Sequence, residues 1–377
     1  MKEFGLDLPD YPWDRLLPYR QKAQQHPDGL IDLSIGTPVD PTPAFIQEAL
    51  AAAADAHSYP TTQGSLSLRQ AIVGWFERRR GVPGLSPQQV LPTVGSKEMV
   101  AWLPFFLGLG PGDVVVRPRI AYPTYDIGAR LAGAEVIAAD SLQELEGQVR
   151  QRVKLVWVNS PSNPTGIVRD KTYLRQLVED ARQLGAVLAS DECYAELGWG
   201  QWDVQAGGQP VPSLLDPQVS GGSSEQLFVL YSLSKQSNLA GYRAAFMAGD
   251  ELLLPRILNA RKHAGMIVPG PVQAAMELAL GDDEHVSTQK SLYRRRRQRL
   301  FAALQAAGFV VEGSQAGLYL WTRGQEDTWA SLDRFARLGI LVGPGVFYGR
   351  EGAGYLRLAL TGSDEHIEAA ARRLLSS

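Results

Sequence analysis

The sequence predicts an α/β protein with a large layered domain and a smaller α+β domain. Between residues 43 and 271, short apolar runs typical of buried strands alternate with amphipathic helical patterns. This alternation indicates a mostly parallel sheet with helices on both faces, an α/β/α arrangement. After residue 272 the pattern changes to long helices and two short strands, at 309–312 and 317–322, before a final helix at 364–375.

The larger domain is expected to span residues 36–271, and the smaller one to combine residues 1–35 with 272–377. A chain of 377 residues with 45% hydrophobic content is long enough for two or three cores at ~100–200 residues per domain. Residues 201–226 are rich in Gly, Ser, Pro and Gln between apolar strands, so we interpret them as a surface excursion.

Individual elements follow from residue spacing. Apolar residues recur at helical intervals in 45–56, 67–80 and 171–184, whereas β-branched residues dominate the strand patterns 114–117 and 154–159.

The net charge of −3 argues against a nucleic-acid partner. Two basic runs, 77–80 and 294–299, lie in helical patterns without interleaved aromatic residues, so we interpret them as solvated helix faces.

Cys193 is the only cysteine, which excludes an intrachain disulfide and fits a reducing, cytoplasmic setting. We interpret it as a small buried thiol rather than a nucleophile. Residues 1–9 lack the apolar core of a signal peptide, and no stretch is long and apolar enough for a membrane span. No membrane partner and no metal site are expected.

The segment 231–243 combines Ser232, Ser234, Lys235 and Arg243. Pyridoxal 5′-phosphate (PLP) needs a lysine that forms an imine with its aldehyde, and hydroxyls with a fixed cation that hold its phosphate. The segment supplies these groups and predicts PLP as the cofactor. A Ser-x-Ser-Lys string also occurs by chance on exposed surfaces, so the string alone leaves the two interpretations about even.

Asp191 and Tyr194 end the strand-like run 186–194. Chemistry collects at the carboxyl ends of strands in open α/β sheets, and the pyridine nitrogen of PLP needs a carboxylate to stay protonated. Tyr194 could donate to the ring oxygen of the cofactor. Taken alone, such an acid is more often a turn residue or helix cap, and such a tyrosine a core aromatic.

Two loops that follow strand patterns carry further candidates. Asn163 precedes a proline, which holds its backbone outside the helical region and fixes its amide near the ring oxygen and the substrate carboxylate. Tyr122 follows the strand 114–117 and could stack on the pyridine ring. An ordinary Asn-Pro turn and core packing are the alternatives.

Ser96 and Lys97 precede a helical pattern at 98–107, where backbone N–H groups favour a phosphate; an ordinary helix cap is the alternative. Arg357 lies among apolar residues in the alternating run 354–360. A buried arginine needs a partner, and the α-carboxylate of an amino acid fits. The alternatives, an intramolecular salt bridge or an exposed position on the strand face, are given the same weight as binding of a substrate carboxylate.

In chain order these residues resemble the class I aminotransferases of PLP fold type I. The resemblance covers nearly the whole chain and rests on Gly36, Tyr59, Gly95, Ser96, Lys97, Tyr122, Asn163, Asp191, Tyr194, Ser232, Ser234, Lys235, Arg243 and Arg357.

The resemblance implies a role for each of these residues except Gly95. Lys235 would form the imine, Asp191 would meet the pyridine nitrogen, and Tyr122 would stack on the ring. The ring oxygen would meet Asn163 and Tyr194. The phosphate would be held by Ser96, the backbone of Lys97, Ser232, Ser234, Arg243 and, from the neighbouring subunit of a homodimer, Tyr59. The substrate would meet Gly36, Asn163 and Arg357.

Segments 12–43, 120–125, 191–199 and 232–250 resemble the succinyldiaminopimelate transaminases of the actinobacterial type. This resemblance implies ping-pong transfer from N-succinyl-L,L-diaminopimelate to 2-oxoglutarate in diaminopimelate and lysine biosynthesis. An aminotransferase of another amino acid and a PLP-dependent C–S lyase are the alternatives; a non-enzymatic PLP-binding regulator is the least favoured.

The distal groups of such a substrate need cations of their own. His263 stands where we align the arginine with which aspartate aminotransferases bind a distal carboxylate, which is a departure from that pattern. Arg20, Lys97 and Arg119 lie in other segments that could border the site, and the sequence does not rank them.

Overall fold

The computed structural model describes residues 5–6 and 8–376. The prediction about an N-terminal leader concerns residues 1–9, of which 1–4 and 7 lie outside this part. Among the described residues, no helix has the length and apolar character of a membrane span.

The helices range from single turns to a 23-residue helix. They are α1 Leu17–Gln24, α2 Ala44–Ala52, α3 Leu66–Arg80, α4 Ser96–Phe106, α5 Thr124–Ala132, α6 Gly147–Arg152, α7 Lys171–Gln183, α8 Pro217–Ser220, α9 Leu233–Gln236, α10 Leu254–Ala264, α11 Gly270–Gly281, α12 Glu284–Ala306, α13 Thr328–Arg337 and α14 Asp364–Leu375.

The strands are short, and most belong to one central sheet. They are β1 Ile31–Asp32, β2 Val90–Val94, β3 Val114–Arg117, β4 Glu135–Ala138, β5 Val153–Asn159, β6 Val187–Asp191, β7 Leu227–Ser232, β8 Ala244–Gly249, β9 Val310–Glu312, β10 Tyr319–Arg323, β11 Ile340–Leu341, β12 Gly343–Pro344 and β13 Tyr355–Ala359.

The central sheet has the strand order β2-β8-β7-β6-β5-β3-β4. Strand β8 is antiparallel to both neighbours and the other pairs are parallel, so the predicted mostly parallel sheet is confirmed. The register pairs Asn159 with Asp191 at the carboxyl ends of β5 and β6. Polar side chains that end neighbouring strands therefore lie side by side.

Alternate side chains of the central strands pack into two apolar clusters, one on each face. Val229 of β7 lies in the cluster that contains Trp75 of α3. Its neighbour Leu230 lies in the cluster that contains Leu103 of α4 and Tyr125 of α5. Strands covered on both faces read as continuous apolar runs, which is why the β-branched patterns predicted them.

A third apolar cluster packs beneath a four-stranded antiparallel sheet in the order β12-β13-β10-β9. Helices α12 and α14 pack against each other beside it. Strands β1 and β11 pair in parallel, with Ile31 opposite Ile340, so the N-terminal segment joins the C-terminal part of the chain. The predicted bounds of the two domains stay a prediction.

The interpretation of residues 201–226 as a surface excursion is wrong for its middle part. Val211, Leu214 and Leu215 are buried in the core. Arg80 donates from Nη1 to the Val211 carbonyl oxygen at 3.1 Å, and the Leu214 amide donates to Glu192 at 2.8 Å. Buried hydrogen bonds therefore fix this polar segment, which its composition did not indicate.

The interpretation of the basic runs as solvated helix faces is also wrong in part. Arg80 at the end of α3 is buried and pairs with Glu192, with Nη2 and Oε2 3.0 Å apart. Arg296 in the second run is buried and bonds Asp40 and Asp364, each at 2.6 Å. Each of these arginines meets an acidic residue distant in sequence, which local periodicity cannot show.

We predict that Arg80→Met lowers the free energy of unfolding by ~3–5 kcal/mol, because Glu192 would keep a buried charge without its partner. Denaturant unfolding measures the change. The matched control is Arg323→Met, which removes the exposed Arg323–Glu312 pair and should cost less than ~1 kcal/mol. Equal effects of the two substitutions would contradict the structural importance of the buried pair.

Candidate active site

A cavity of about 290 Å³ opens at the carboxyl ends of β5, β6 and β7. It is lined by every predicted site residue except Tyr59, namely Gly36, Ser96, Lys97, Tyr122, Asn163, Asp191, Tyr194, Ser232, Ser234, Lys235, Arg243 and Arg357. Tyr59 is 97% exposed and lies outside the cavity. The fold thus brings together residues that are scattered over more than 300 positions of the chain.

One end of the cavity is built to hold an anion. Gly95, with φ of +76°, precedes α4, and a Cβ at this position would lie 2.0 Å from Nη2 of Arg243. Only glycine lets the guanidinium approach this helix start. Ser232 donates to Ser234 at 2.8 Å beside it. Arg243 forms no ion pair within the described chain, so its charge, the hydroxyls and the helix N-terminus are available to a phosphate.

Asp191 also lines the cavity. Its carboxylate accepts hydrogen bonds from the Tyr125 hydroxyl at 3.0 Å and the Cys193 amide at 3.2 Å. Withdrawal from bulk water raises the pKa of Asp191, and these hydrogen bonds offset part of the rise. No cation among the described residues pairs with it. A carboxylate in this state is suited to a positively charged ring nitrogen.

Lys235, on the short helix α9, lines the same cavity. Its Nζ donates to the Gly36 carbonyl oxygen at 2.5 Å. Burial lowers the pKa of Lys235, because the charged ammonium is disfavoured away from water. A larger fraction of neutral amine is therefore present near neutral pH than for an exposed lysine.

Arg357 on β13 is buried and points into the cavity. Its Nη1 donates to Asn163 at 2.8 Å and its Nη2 to the Ser34 carbonyl oxygen at 2.6 Å. Its Nε is buried without a hydrogen-bond partner, and no carboxylate of the described residues pairs with it. Neither the intramolecular salt bridge nor the exposed face is observed. The carboxylate of a substrate could supply the missing counter-ion and accept the hydrogen bond that Nε lacks.

Sequence reasoning missed two tyrosines that shape the site. Tyr319 on β10 lies 3.2 Å from the Tyr194 hydroxyl, and a Cβ on Gly36 would lie 2.2 Å from the Tyr319 hydroxyl. Burial opposes ionisation of Tyr319, yet the charges of Arg357 and Lys235 bring the pKa of its phenol below its usual value. Tyr125 is the second, because it bonds Asp191. Tyr125 ends the segment 120–125, but no pattern in that segment predicts its bond to Asp191. Tyr319 lies in no recognised motif, and only the pairing of β10 with β13 brings it to the site.

Cys193 is buried, as predicted. Burial and then the neighbouring Asp191 raise the pKa of its thiol well above the usual value. The thiol is therefore protonated near neutral pH and is a poor nucleophile.

A second cavity, of about 490 Å³, adjoins the first. The two share Tyr11, Trp13, Lys97 and Tyr122 in their walls. The second wall is otherwise mostly apolar and includes Ala121, Pro123, Ile127, Val346, Phe347 and Tyr348. A substrate attached in the first cavity could extend a large apolar part into the second.

The four residues considered for binding the distal substrate groups differ in whether they already have an ion-pair partner and in whether they line a cavity. Lys97 lies where the cavities meet, 5.8 Å from the ring centre of Tyr122, and pairs with no carboxylate of the described residues. Arg20 bonds Asp32, and Arg119 bonds Glu144. His263 is exposed in the last turn of α10. Of these four residues, only Lys97 is placed at the cavities to meet a distal anion.

Residues 28–374 match the family model of aminotransferase class I and II. The chain belongs to this family. Class I aminotransferases are PLP-dependent, and the cavity fits this cofactor: its lining includes an anion site, a carboxylate without a cation partner among the described residues, and a lysine. The enzyme is therefore a PLP-dependent aminotransferase.

Relatives and solved structures support the same family. The chain is 53% identical to 4-dedimethylamino-4-oxo-anhydrotetracycline transaminase OxyQ of Streptomyces rimosus, over 98% of this chain and 99% of the relative. It is 50% identical to the probable aminotransferase Rv1178 of Mycobacterium tuberculosis, over 97% and 85%. The structure of a probable N-succinyldiaminopimelate aminotransferase from Thermus thermophilus is 30% identical, with a TM-score of 0.86 over 97% of this chain and 100% of that chain.

Proposed function

We propose that Lys235 is the residue that binds the PLP aldehyde and moves the substrate proton. When bound, PLP supplies an aldehyde that condenses with amines and a ring that withdraws electrons. The lowered pKa of Lys235 favours the neutral amine, whose Nζ can take the proton from the α-carbon of the amino donor. The observation that carries this proposal is that Lys235 lines the same cavity as Arg243 of the anion site and Asp191.

The remaining cavity residues are proposed to hold and tune the cofactor. Asp191 keeps the ring nitrogen protonated, while Asn163 and Tyr194 donate to the ring oxygen and Tyr122 stacks on the ring. The phosphate is proposed to bind Ser96, the Lys97 amide, Ser232, Ser234 and Arg243.

The substrate carboxylate is proposed to bind Arg357 and Asn163 beside Gly36. The unpaired Nε of Arg357 supports this role, because a carboxylate can accept from two nitrogens of one guanidinium. The existing bonds to Asn163 and Ser34 fix the guanidinium plane before substrate arrives. Little side-chain freedom would then be lost on binding.

N-succinyl-L,L-diaminopimelate, with 2-oxoglutarate as the acceptor, is the first substrate proposal, within diaminopimelate and lysine biosynthesis. The similarity to the Thermus structure supports it. The free ammonium of Lys97 also supports it, because this substrate carries a carboxylate far from the reacting carbon.

A bulky oxo-anhydrotetracycline is the second substrate proposal. The apolar cavity of about 490 Å³ favours it, since a long charged chain leaves such walls unused. The similarity to OxyQ points in the same direction.

A cytoplasmic homodimer is also proposed. Tyr59 is 97% exposed in this chain, so it is free to complete the phosphate site of a second copy. The single free cysteine, Cys193, fits a reducing compartment.

Lys235→Ala should lower turnover by at least ~100-fold while PLP stays bound without a covalent link, because the phosphate and ring contacts come from other residues. Borohydride reduction of the wild-type holoenzyme and peptide mapping should find the pyridoxyl group on Lys235. The exposed Lys154→Ala is the control and should keep activity. A label on another lysine would refute the assignment.

Mixing Tyr59→Ala with Lys235→Ala tests the shared site. In a mixed dimer one site carries both defects and the other neither, so activity should rise above the mean of the parents, toward about a quarter of wild type. Native mass spectrometry confirms that the dimers have mixed. No gain in demonstrably mixed dimers would count against a contribution of Tyr59 across subunits.

A substrate panel decides between the two candidates. If the first is correct, the succinylated compound should exceed aspartate, alanine and aromatic amino acids in kcat/KM by at least ~100-fold, or about 2.7 kcal/mol. Lys97→Gln should then weaken the succinylated substrate selectively and leave alanine unaffected. A preference for the polycyclic oxo compound would support the second candidate instead.

A further inference from the structure

Lys235 lies on a helix that is too short to hold its own axis in one orientation. Helix α9 has four residues, Leu233–Gln236, and such a helix is too short to be stable alone. The next two residues, Ser237 and Asn238, leave the helix, and Asn238 has a φ of +56°. The direction of the Lys235 side chain therefore depends on what holds these two residues.

Ser237 belongs to a chain of hydrogen bonds that runs through His285 at the start of α12 to Asp282, just before that helix. Its Oγ lies 2.8 Å from Nε2 of His285, and Nδ1 of His285 lies 2.6 Å from Oδ1 of Asp282. A carboxylate only accepts hydrogen bonds, so Nδ1 of His285 is the donor. In the neutral ring, Nε2 then accepts from the Ser237 hydroxyl, which gives the contact a defined direction.

Asn238 is held by two separate parts of the chain. Its Nδ2 donates to Gln289 of α12 at 2.8 Å and to the Pro41 carbonyl oxygen at 3.2 Å. Thr42 donates to the Asn238 carbonyl oxygen at 3.1 Å. Residues 41–42 continue the segment that carries Gly36, whose carbonyl oxygen meets Lys235. The residues after Lys235 and the oxygen that Nζ meets are thus tied together.

The Ser237–His285–Asp282 arrangement has the residue types of a hydrolase triad, but Ser237 is not accessible. It is 1% exposed and is absent from the wall of the adjoining cavity of about 460 Å³, which His285 does line. An acyl group therefore cannot reach Oγ of Ser237. The hydrogen bonds can restrain the chain without any covalent step.

We propose that Ser237, Asn238 and His285 are positioning residues that set the main chain of Lys235, and with it the direction of Nζ. The proposal rests on the proposed role of Lys235. Loss of one contact should let Lys235 adopt several orientations relative to Gly36, so fewer enzyme molecules hold Nζ in reach of the reacting carbon.

The test uses the holoenzyme with Ser237→Ala, which removes one oxygen atom, and His285→Phe, which keeps an aromatic ring beside Phe45. Each should lower kcat by ~10-fold with KM and PLP content near wild type. The pH midpoint of the visible absorbance of bound PLP, which reports the nitrogen of Lys235, should move by about half a unit or more. His285→Gln keeps an acceptor and should restore part of kcat.

The exposed His366→Phe is the matched control and should change none of these values. The double variant Ser237→Ala/His285→Phe should be no worse than the single ones, because both break the same contact. Unchanged kcat and midpoint, or losses that multiply in the double variant, would overturn the proposal. Borohydride label on a lysine other than Lys235 would instead overturn the proposed function, so the two failures are distinguishable.

Discussion

Two charges without partners within the described chain, on Asp191 and Arg357, are the constraint on which the rest of the site depends. A charged group removed from water destabilises the fold unless an opposite charge or hydrogen bonds compensate. Asp191 has two donors and Arg357 has two acceptors, but neither has a counter-ion among the described residues. In the proposed function, a protonated ring nitrogen and a substrate carboxylate supply those charges. Binding of cofactor and substrate would therefore offset the unfavourable free energy of burying these two charges without counter-ions.

The sheet explains why these groups meet. Parallel strands end at the same edge, so Asn159 and Asp191 are neighbours in register. The single reversed strand, β8, brings Arg243 back to the end of β2, where the Gly95 amide donates to the Arg243 carbonyl oxygen at 2.7 Å. The anion site thus needs one antiparallel strand in an otherwise parallel sheet. Substitutions that disturb the β2–β8 pairing would weaken phosphate binding without touching a cofactor ligand.

Local patterns in the sequence predicted the helices and strands well. They did not predict which buried polar side chains contact each other. The strand 114–117 coincides with β3 and the helix 364–375 with α14, because apolar spacing is a local property. The cavity residues were predicted because PLP chemistry demands certain side chains at strand ends. Tyr319 and the burial of Arg80 were missed, since each depends on a partner more than 100 residues away. Composition also misplaced residues 211–215, whose hydrogen bonds come from α3 and Glu192.

Cofactor chemistry and substrate choice are carried by different parts of the chain. The groups proposed to hold PLP lie at the ends of central strands and at the start of α4, where the fold leaves little freedom. The second cavity takes part of its wall from the N-terminal residues 8–13 and from 346–349, outside the central sheet, and the rest from β3, α4, α5 and the residues just before α5. Substitutions in these segments can change cavity shape and polarity while the cofactor groups stay in place. Such a division would let proteins of one fold act on substrates as different as those proposed above for this enzyme. Lys97 is the exception, because its backbone belongs to the proposed phosphate site and the residue lines both cavities. A change there would alter substrate choice through the side chain alone.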